Sequence, residues 1–415
     1  MSKTIAIVGG GPSGLISAIC FARRGIATTV YEALDCPLKA ATYNPNRSYA
    51  IDISGHGLNA IDYIGAVDRF NKAMIQFDGV KLEDKVVTPW NEPGWIGSRG
   101  DIVSVLVNLV NEKYSDLITI HYQHRVTGVN VHQGRLEFEA TNDDGTTEQH
   151  SQVFDCIIAA DGGGSVLRAQ ATQQEPNYQL TKKDVGYHCK MITMDTNTDG
   201  LDPRYLQVLS PKGFCVAGAI NGPEGPQDPL WFCFVPYPDD KRFDSLEDVR
   251  THFAERCPKL LQYTSDKELS EFAQRPSQNI GRVTQSSQLY AGKVIFLGDA
   301  AISYPPIGQG INGAMESSMI LDQCLGRAGF DTEGAVIDDQ MLQQMAKMYN
   351  DRWHPETMAV SWLGMKNVMA KPWHKVRALA MEALNMNVLH DTKRSDIAYS
   401  EVYHRAKKQG PFWIL

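Results

Sequence analysis

Apolar positions along the chain fall into short blocks whose spacing changes from region to region. Thr4-Ile5-Ala6-Ile7-Val8 is a continuous β-rich run of the kind a parallel strand buried on both faces requires. A glycine turn follows. Leu15, Ile16, Ala18, Ile19, Phe21 and Ala22 then recur at helical spacing, and Gly25 marks the end of that helix. Residues 27–31 (Ala-Thr-Thr-Val-Tyr) predict a second strand ending at Glu32. Together they make a βαβ unit in about 30 residues.

Further along, residues 102–110 carry helical apolar spacing, and 118–122, 135–140 and 153–160 read as strands. The middle one ends in the turn cluster Asn142-Asp143-Asp144-Gly145. Residues 176–285 have a different texture. Strand-like runs at Tyr205–Leu209, Cys215–Ala219 and Leu230–Val235 alternate with turns such as Asn221-Gly222-Pro223, which predicts a separate antiparallel sheet. A strand returns at Val294–Leu297. Beyond about 335 the chain is helical in pattern and rich in Met, Leu, Ala and Lys; no internal repeat or low-complexity tract is visible.

Composition narrows the class. The 415 residues are 43% apolar and 21% charged, ordinary for a soluble globular protein with a sizeable core. The net charge of −8 argues against nucleic acid as a partner. No apolar run approaches the roughly 18 residues of a membrane span, and the start shows no signal peptide. Eight cysteines form no C-x-x-C and no metal-ligand spacing, so they read as buried side chains in a reducing, cytoplasmic setting, with no metal expected.

Three motifs carry chemistry. Gly9-Gly10-Gly11-Pro12-Ser13-Gly14 places G-x-G-x-x-G between strand and helix. Gly9 permits the turn, Gly11 lets the backbone approach a pyrophosphate, and Gly14 lets helix and strand pack closely. The helix start presents free N–H groups to phosphates. Glu32, 18 residues after Gly14, can accept both hydroxyls of an adenosine ribose and would repel a 2′-phosphate, which points to FAD or NAD as the resident nucleotide. The alternative is a glycine turn without a ligand. The second motif is an apolar strand running from 155 into Asp161-Gly162-x-x-Ser165-x-x-Arg168. The third is Val294–Leu297 running into Gly298-Asp299-Ala300-Ala301, then Pro305-Pro306-Ile307-Gly308-Gln309-Gly310-Ile311-Asn312. Asp299 ends a strand and can hold a ribityl hydroxyl. Gly308 and Gly310 admit a flat ring, and Asn312 is expected to cap the following helix, whose positive end would face the flavin pyrimidine edge. The alternative here is a structural turn before a core helix.

In this order and spacing the motifs resemble the group A single-component FAD-dependent aromatic monooxygenases over nearly the whole chain. The resemblance implies an α/β fold with an FAD-binding Rossmann-like (GR2-type) domain, an inserted antiparallel-sheet substrate domain and C-terminal helices. The expected boundaries are 1–75, 95–175 and 286–330 for the first, 76–94 and 176–285 for the second, and 331–415 for the helices. Arg99, in Ser98-Arg99-Gly100-Asp101-Ile102-x-x-x-Leu106, matches the family's helix-start arginine that contacts FAD. Asp161 and Arg168 match a motif linked to both FAD and NAD(P)H.

Within that family the chain is most similar to the kynurenine 3-monooxygenase subgroup. Arg47-Ser48-x-x-x-x-Ser54-x-x-Gly57-x-x-Ala60, Tyr205-Leu206-x-x-x-x-Pro211, Phe234-Val235-Pro236 and Tyr399-Ser400-Glu401 carry the likeness, and Arg47 is assigned to the cofactor site. The membrane-anchoring tail of the mitochondrial enzymes is absent from the sequence, which ends at Leu415. The substrate anchors depart. The subgroup's carboxylate-binding arginine should fall within Phe77–Lys81, where Lys81 is the one cation. Trp90 stands for a pocket tyrosine, Ala359 loosely for an asparagine, and Tyr399 is retained. A buried carboxylate without a charged partner loses several kcal/mol, so a flatter, less charged aromatic such as an indole is expected. The loop after Ala301 also departs, with Ile302 in place of histidine and one residue fewer. Pro305 takes the flavin-facing position. Tyr304 either turns toward the active site or packs under the loop.

The implied reaction is NAD(P)H- and O₂-dependent hydroxylation of a small aromatic, such as an indole- or tryptophan-derived one, through a flavin C4a-hydroperoxide, with NADPH or NADH as co-substrate. Pro305, Tyr304 and Tyr399 are the candidate catalytic residues, and no nucleophile triad is called for. His56 and His188 are the histidines to test. The chain is expected to act as a monomer or homodimer without a membrane anchor. Rival readings are an FAD-dependent epoxidase or reductase, a non-catalytic FAD-binding protein, and a flavin halogenase, whose W-x-W-x-I-P is disfavoured by Cys233 in Trp231-Phe232-Cys233-Phe234-Val235-Pro236. The methionines at 341, 345, 348, 365 and 369 suggest a core-covering lid, and Pro372-Trp373 a pocket cap.

Overall fold

The computed structural model describes residues 3–39, 49–82, 85–90, 92, 94–142, 144–184, 186–210, 215–238, 241–280, 282–305, 307–332, 335–368 and 391–409. Arg47, Pro306, Met369, Pro372 and Trp373 lie outside the described residues. The helices are α1 (Pro12–Arg23), α2 (His56–Tyr63), α3 (Val67–Ala73), α4 (Arg99–Lys113), α5 (Val166–Gln174), α6 (Leu246–Arg256), α7 (Asp266–Gln274), α8 (Gly310–Leu325), α9 (Asp339–Val368) and α10 (Tyr399–Gln409).

A six-stranded sheet forms the first layer. Its order is Tyr290–Ala291, Val294–Phe296, Cys156–Ala159, Ile5–Val8, Thr28–Tyr31, Ile118–His121, parallel throughout except for the short first strand. Ile5–Val8 and Cys156–Ala159 are buried along their whole length. That accounts for their unbroken apolar composition, since both faces are covered. Leu15, Ile16, Ile19 and Phe21 of α1 enter the same core, each at most 2% exposed, and a buried side chain of this size contributes about 2 kcal/mol. Arg24 extends the attachment by pairing with Asp322 of α8.

A seven-stranded sheet forms the second layer, in the order Gln278–Asn279, Tyr187–Met194, Gly225–Pro238, Cys215–Gly222, Tyr205–Ser210, Gly79–Leu82, Lys85–Pro89. It is antiparallel except where Tyr205–Ser210 runs parallel to Gly79–Leu82. Within 176–285 the sheet is antiparallel as expected; the one parallel join is to the distant segment Gly79–Leu82, where no hairpin dictates the direction. Behind it, α6 and α7 bury Val249, Phe253, Leu269 and Phe272. Lys190 is buried against the end of α7, donating to the carbonyls of Phe272 (3.2 Å) and Ala273 (2.8 Å).

The single strand expected at 153–160 is two. Thr147–Val153 closes an exposed three-stranded sheet with Arg135–Thr141 and His124–Asn130, and the chain then enters the core at Cys156. The break falls where Asp155 accepts from the Thr4 backbone N–H (2.9 Å). In α9, Met345 is fully buried and Met348 is half-buried against the core, while Met341 and Met365 are half-buried.

Candidate active site

The register of the parallel strands brings the three motifs to one edge. Val8 pairs with both Tyr31 and Ala159, and Ala159 pairs with Phe296. The residues that follow, Gly9, Glu32, Asp161 and Asp299, therefore leave the sheet along the same carboxyl end, where open α/β sheets bind ligands. Gly9 has φ +104°, and a Cβ there would lie 2.3 Å from the Ala160 carbonyl oxygen. A Cβ on Gly14 would lie 2.0 Å from the Gly9 carbonyl oxygen. Pro12 opens α1 with the fixed φ that suits its first position. Ser13 Oγ turns to Ser318 of α8 (3.0 Å), so its hydroxyl ties two helices together. The Glu32 carboxylate accepts from the backbone N–H of Gly10 (2.7 Å) and Leu34 (2.8 Å), which fixes it across the turn.

Arg99 is placed by a capping box. Ser98 Oγ accepts from the Asp101 N–H (3.1 Å) and Asp101 accepts from the Ser98 N–H (2.7 Å), a reciprocal pair that starts α4. The guanidinium then stands over Gly11, 2.9 Å from where a Cβ would be. Asp161 accepts from the Val166 N–H (3.0 Å) with one oxygen, while the other is buried without a partner. Arg168 is buried and donates to the carbonyls of Asp299 (2.7 Å), Ala300 (3.1 Å) and Gly163. Asp299 is exposed to the cleft. Partial desolvation raises its carboxyl above the usual range, opposed by Arg99 and Arg168.

The loop from 302 to 312 departs from expectation at one residue. α8 begins at Gly310 behind Gln309, with no side-chain cap, so Asn312 lies inside the first turn and caps nothing. Its amide instead bridges elements, accepting from the Ser54 N–H (3.1 Å) and donating to the carbonyls of Asp52 (3.1 Å) and Gly308 (3.2 Å). The strand Ile51–Ile53 pairs on one side with Trp95–Gly97, and its other edge claims that amide. Ile311 is half-buried against the core, and Gly308 has φ +76°. Tyr304 packs under the loop, its ring 3.3 Å and its hydroxyl 3.5 Å from the position of a Cβ on Gly313. Pro305 lies against Gly364 of α9. Tyr399, fully buried at the start of α10, donates to Gln309 Oε1 (3.0 Å) and also borders Gly313. The Gln309 Nε2 is buried without a partner.

The second sheet supplies an aromatic wall. Phe77 and Trp90, both buried, have ring centroids 6.2 Å apart. Lys81 is engaged elsewhere, 3.8 Å from Asp202 and 4.2 Å over the Tyr205 ring. A cation the sequence reading missed is Lys393. Its Nζ bonds Asp52 (3.0 Å), lies 6.0 Å from the Phe77 ring and reaches to 3.7 Å from a Cβ position on Gly308. No local signal could have found that pair, which is 341 residues apart. The capping box was legible as S-x-x-D. Ala359 is buried in the core, and His188 lies on the sheet bonded to Ser277 (2.9 Å). His56 is buried at the start of α2.

The profile of a family described as "FAD binding domain" matches residues 103–329, and one described as "NAD(P)-binding Rossmann-like domain" matches residues 7–73. The chain belongs to the FAD binding domain family. It is a group A flavoprotein monooxygenase, similar to kynurenine 3-monooxygenases. That of Stenotrophomonas maltophilia (strain K279a) is 27% identical over 373 residues, covering 83% of this chain and 78% of the relative. That of Drosophila willistoni is 25% identical, covering 82% and 76%. Among solved structures, the tetrameric form of 2-methyl-3-hydroxypyridine-5-carboxylic acid oxygenase superposes with TM-score 0.62 at 19% identity, covering 88% of this chain and 90% of that one. PqsL of Pseudomonas aeruginosa in complex with 2-aminobenzoylacetate does so with TM-score 0.63 at 14% identity, covering 98% and 100%.

The cleft of this flavoprotein fits FAD on its own chemistry. It has a glycine turn at a helix start, an arginine over that turn, and an acid at the second strand's end. Two buried polar atoms, Asp161 Oδ1 and Gln309 Nε2, lack partners, and such atoms need one. Asp299 and Gly308 keep accessible surface within it. Among the described residues no helix is long and apolar enough to cross a membrane, and no cluster of His, Cys, Asp and Glu could hold a metal.

Proposed function

We propose that the protein hydroxylates a small, flat aromatic molecule, indole- or tryptophan-derived, at the expense of NAD(P)H and O₂. The observation that carries this reading is Lys393, which links the aromatic wall to the 302–312 loop. It lies beside Phe77 of the aromatic wall and beside Gly308 of the loop that closes on the cofactor cleft. An aromatic ring placed there lies between a flat apolar wall and the flavin-facing loop. The relatives' names give kynurenine as a substrate, and the structural neighbours' titles name a hydroxypyridine carboxylic acid and 2-aminobenzoylacetate. All three are substituted aromatics. The charge balance argues for a less charged substrate than kynurenine, whose carboxylate needs a cation, because Lys81 and Lys393 are each already opposed by an aspartate.

When bound, FAD supplies the redox chemistry and the activation of O₂. The chain's own residues bind, orient and exclude water. Gly9, Gly11, Pro12, Ser13 and Gly14 with the start of α1 would hold the pyrophosphate, with Arg99 beside it. Glu32 would take the adenosine ribose hydroxyls and Asp299 a ribityl hydroxyl, while Asp161 and Arg168 brace the two strand ends. Gly308, Gly310, Ile311 and Asn312 form the loop and first turn of α8, whose positive end would favour negative charge on the flavin ring. Pro305 and Tyr304 shape the loop against α9 and α8, and Tyr399 orients Gln309. No protein nucleophile takes part.

The test is oxidation of NADPH and NADH by the purified holoenzyme, with L-kynurenine, tryptophan and indoles added singly, following hydrogen peroxide and product mass together. Stimulated oxidation with a product heavier by one oxygen supports the reading. Stimulation that yields peroxide alone contradicts the assignment of that aromatic as substrate.

A further inference from the structure

A buried group of ionisable side chains lies directly behind the first turn of α8 and has no part in the account above. His56 (4% exposed) and Glu316 (7% exposed) approach to 2.6 Å between Nδ1 and Oε2. The contact is off the line of a good hydrogen bond, and neither imidazole nitrogen has another polar partner. The His56 ring lies on the Tyr399 ring, with centroids 3.9 Å apart and planes tilted by 32°. Tyr399 in turn donates to Gln309, the residue at the head of α8. A single chain of contacts therefore runs from the pair to the flavin-facing loop.

The surroundings are acidic. Glu316 comes from α8, Tyr399 from α10, Tyr304 from the loop and Glu356 from α9, where it caps α10 by accepting from the Ser400 N–H (2.8 Å) and hydroxyl (2.5 Å). Both tyrosines are pushed upward, by burial first and then by the neighbouring carboxylates. The nearby cation, Lys393, is spent on Asp52, which also accepts from Ser54 (2.8 Å). A carboxylate in such a place needs a proton or a positive partner close by.

We propose that His56 and Glu316 are positioning residues that hold one proton behind α8, and that this proton sets the charge felt by the flavin-facing loop through Tyr399 and Gln309. With the proton present the pair is neutral overall, whichever atom carries it. When the proton leaves to solvent, Glu316 becomes an unopposed anion against the positive end of α8. That end would then stabilise negative charge on a reduced flavin less well. The inference rests on the reading that α8 faces FAD.

The experiment is the flavin midpoint potential of the holoenzyme as a function of pH. In the wild type the potential should fall more steeply with pH through one interval. Glu316→Gln and His56→Gln should each lose that interval, and Glu316→Gln should have the higher potential on its alkaline side. Glu316→Asp, which keeps the charge, should restore it. Each variant is first checked for bound flavin, so that either glutamine variant answers if the other does not load. A wild type without the steep interval, or glutamine variants that keep it, overturns the inference. A wild-type protein that binds no FAD overturns the proposed function as well.

Discussion

The guanidinium of Arg168, in the first turn of α5, donates to the backbone carbonyl of Asp299 at 2.7 Å, across 131 residues of sequence. It also holds the carbonyls of Ala300 and Gly163. One buried side chain thus fixes the spacing between the two acidic motifs on the carboxyl edge of the sheet. Arg168→Met removes all three bonds and strands buried carbonyls, at a cost of about 3 kcal/mol. We expect denaturant unfolding to register that loss and FAD affinity to fall with it. An unchanged unfolding midpoint would mean the bonds are not formed in solution.

Asp299→Ala and Gly11→Val should both fold and both lose flavin, by at least about a hundredfold in affinity, or ~2.7 kcal/mol. The first removes the acid at the strand end. The second fills the space between the glycine turn and Arg99 that a pyrophosphate needs. Circular dichroism reports the fold and visible absorbance reports the flavin. Yellow protein in both variants would remove these residues from the cofactor site.

Ser98→Ala breaks one half of the capping box that starts α4 and should cost about 1 kcal/mol. Because Arg99 is the next residue, FAD affinity should fall in parallel, whereas Ser245→Ala, which uncaps α6, should cost similar stability and leave FAD binding alone. Equal effects of the two on FAD would separate Arg99 from its cap.

His252, packed edge-on to Phe243 at 5.0 Å, is pushed down to about 4, by burial first and then by Lys241 and Arg256. Its folded value lies below its unfolded one, so the unfolded chain binds the proton more readily. The stability it contributes is complete above about pH 6.5 and declines as pH falls toward 4. Allowing for partial exposure, the decline is about 1–3 kcal/mol. His252→Gln should flatten that acid limb in a plot of unfolding free energy against pH.

Lys393→Met should leave Asp52 buried with Ser54 as its remaining side-chain partner, at a cost of about 1–3 kcal/mol. Asp52→Asn on the same background should recover part of it, which a double-mutant cycle measures. Strict additivity would show that the pair contributes nothing.

What the sequence made legible was local. The buried parallel strands, the glycine turn, Glu32 at the second strand's end and the acid at Asp299 all follow from short patterns with one physical solution each. The parallel join between Tyr205–Ser210 and Gly79–Leu82, the Asp52–Lys393 pair and the His56–Glu316 contact depend on distant segments meeting, and no local spacing encodes them. Asn312 shows the boundary between the two. Its place before a helical pattern suggested a cap, but the backbone at 52–54, some 260 positions away, claims its amide. Tyr304 was open between two orientations because a loop one residue shorter can be closed in more than one way, and packing against Gly313 decided it.

The central claim is that this flavoprotein inserts oxygen into an aromatic ring. Product mass after incubation of the holoenzyme with NAD(P)H, labelled O₂ and each candidate aromatic tests it most directly. One labelled oxygen atom is expected in the product of an indole- or tryptophan-derived substrate, with NAD(P)H consumed in step. Flavin-bound enzyme that oxidises NAD(P)H, yet leaves every aromatic unlabelled, would contradict it.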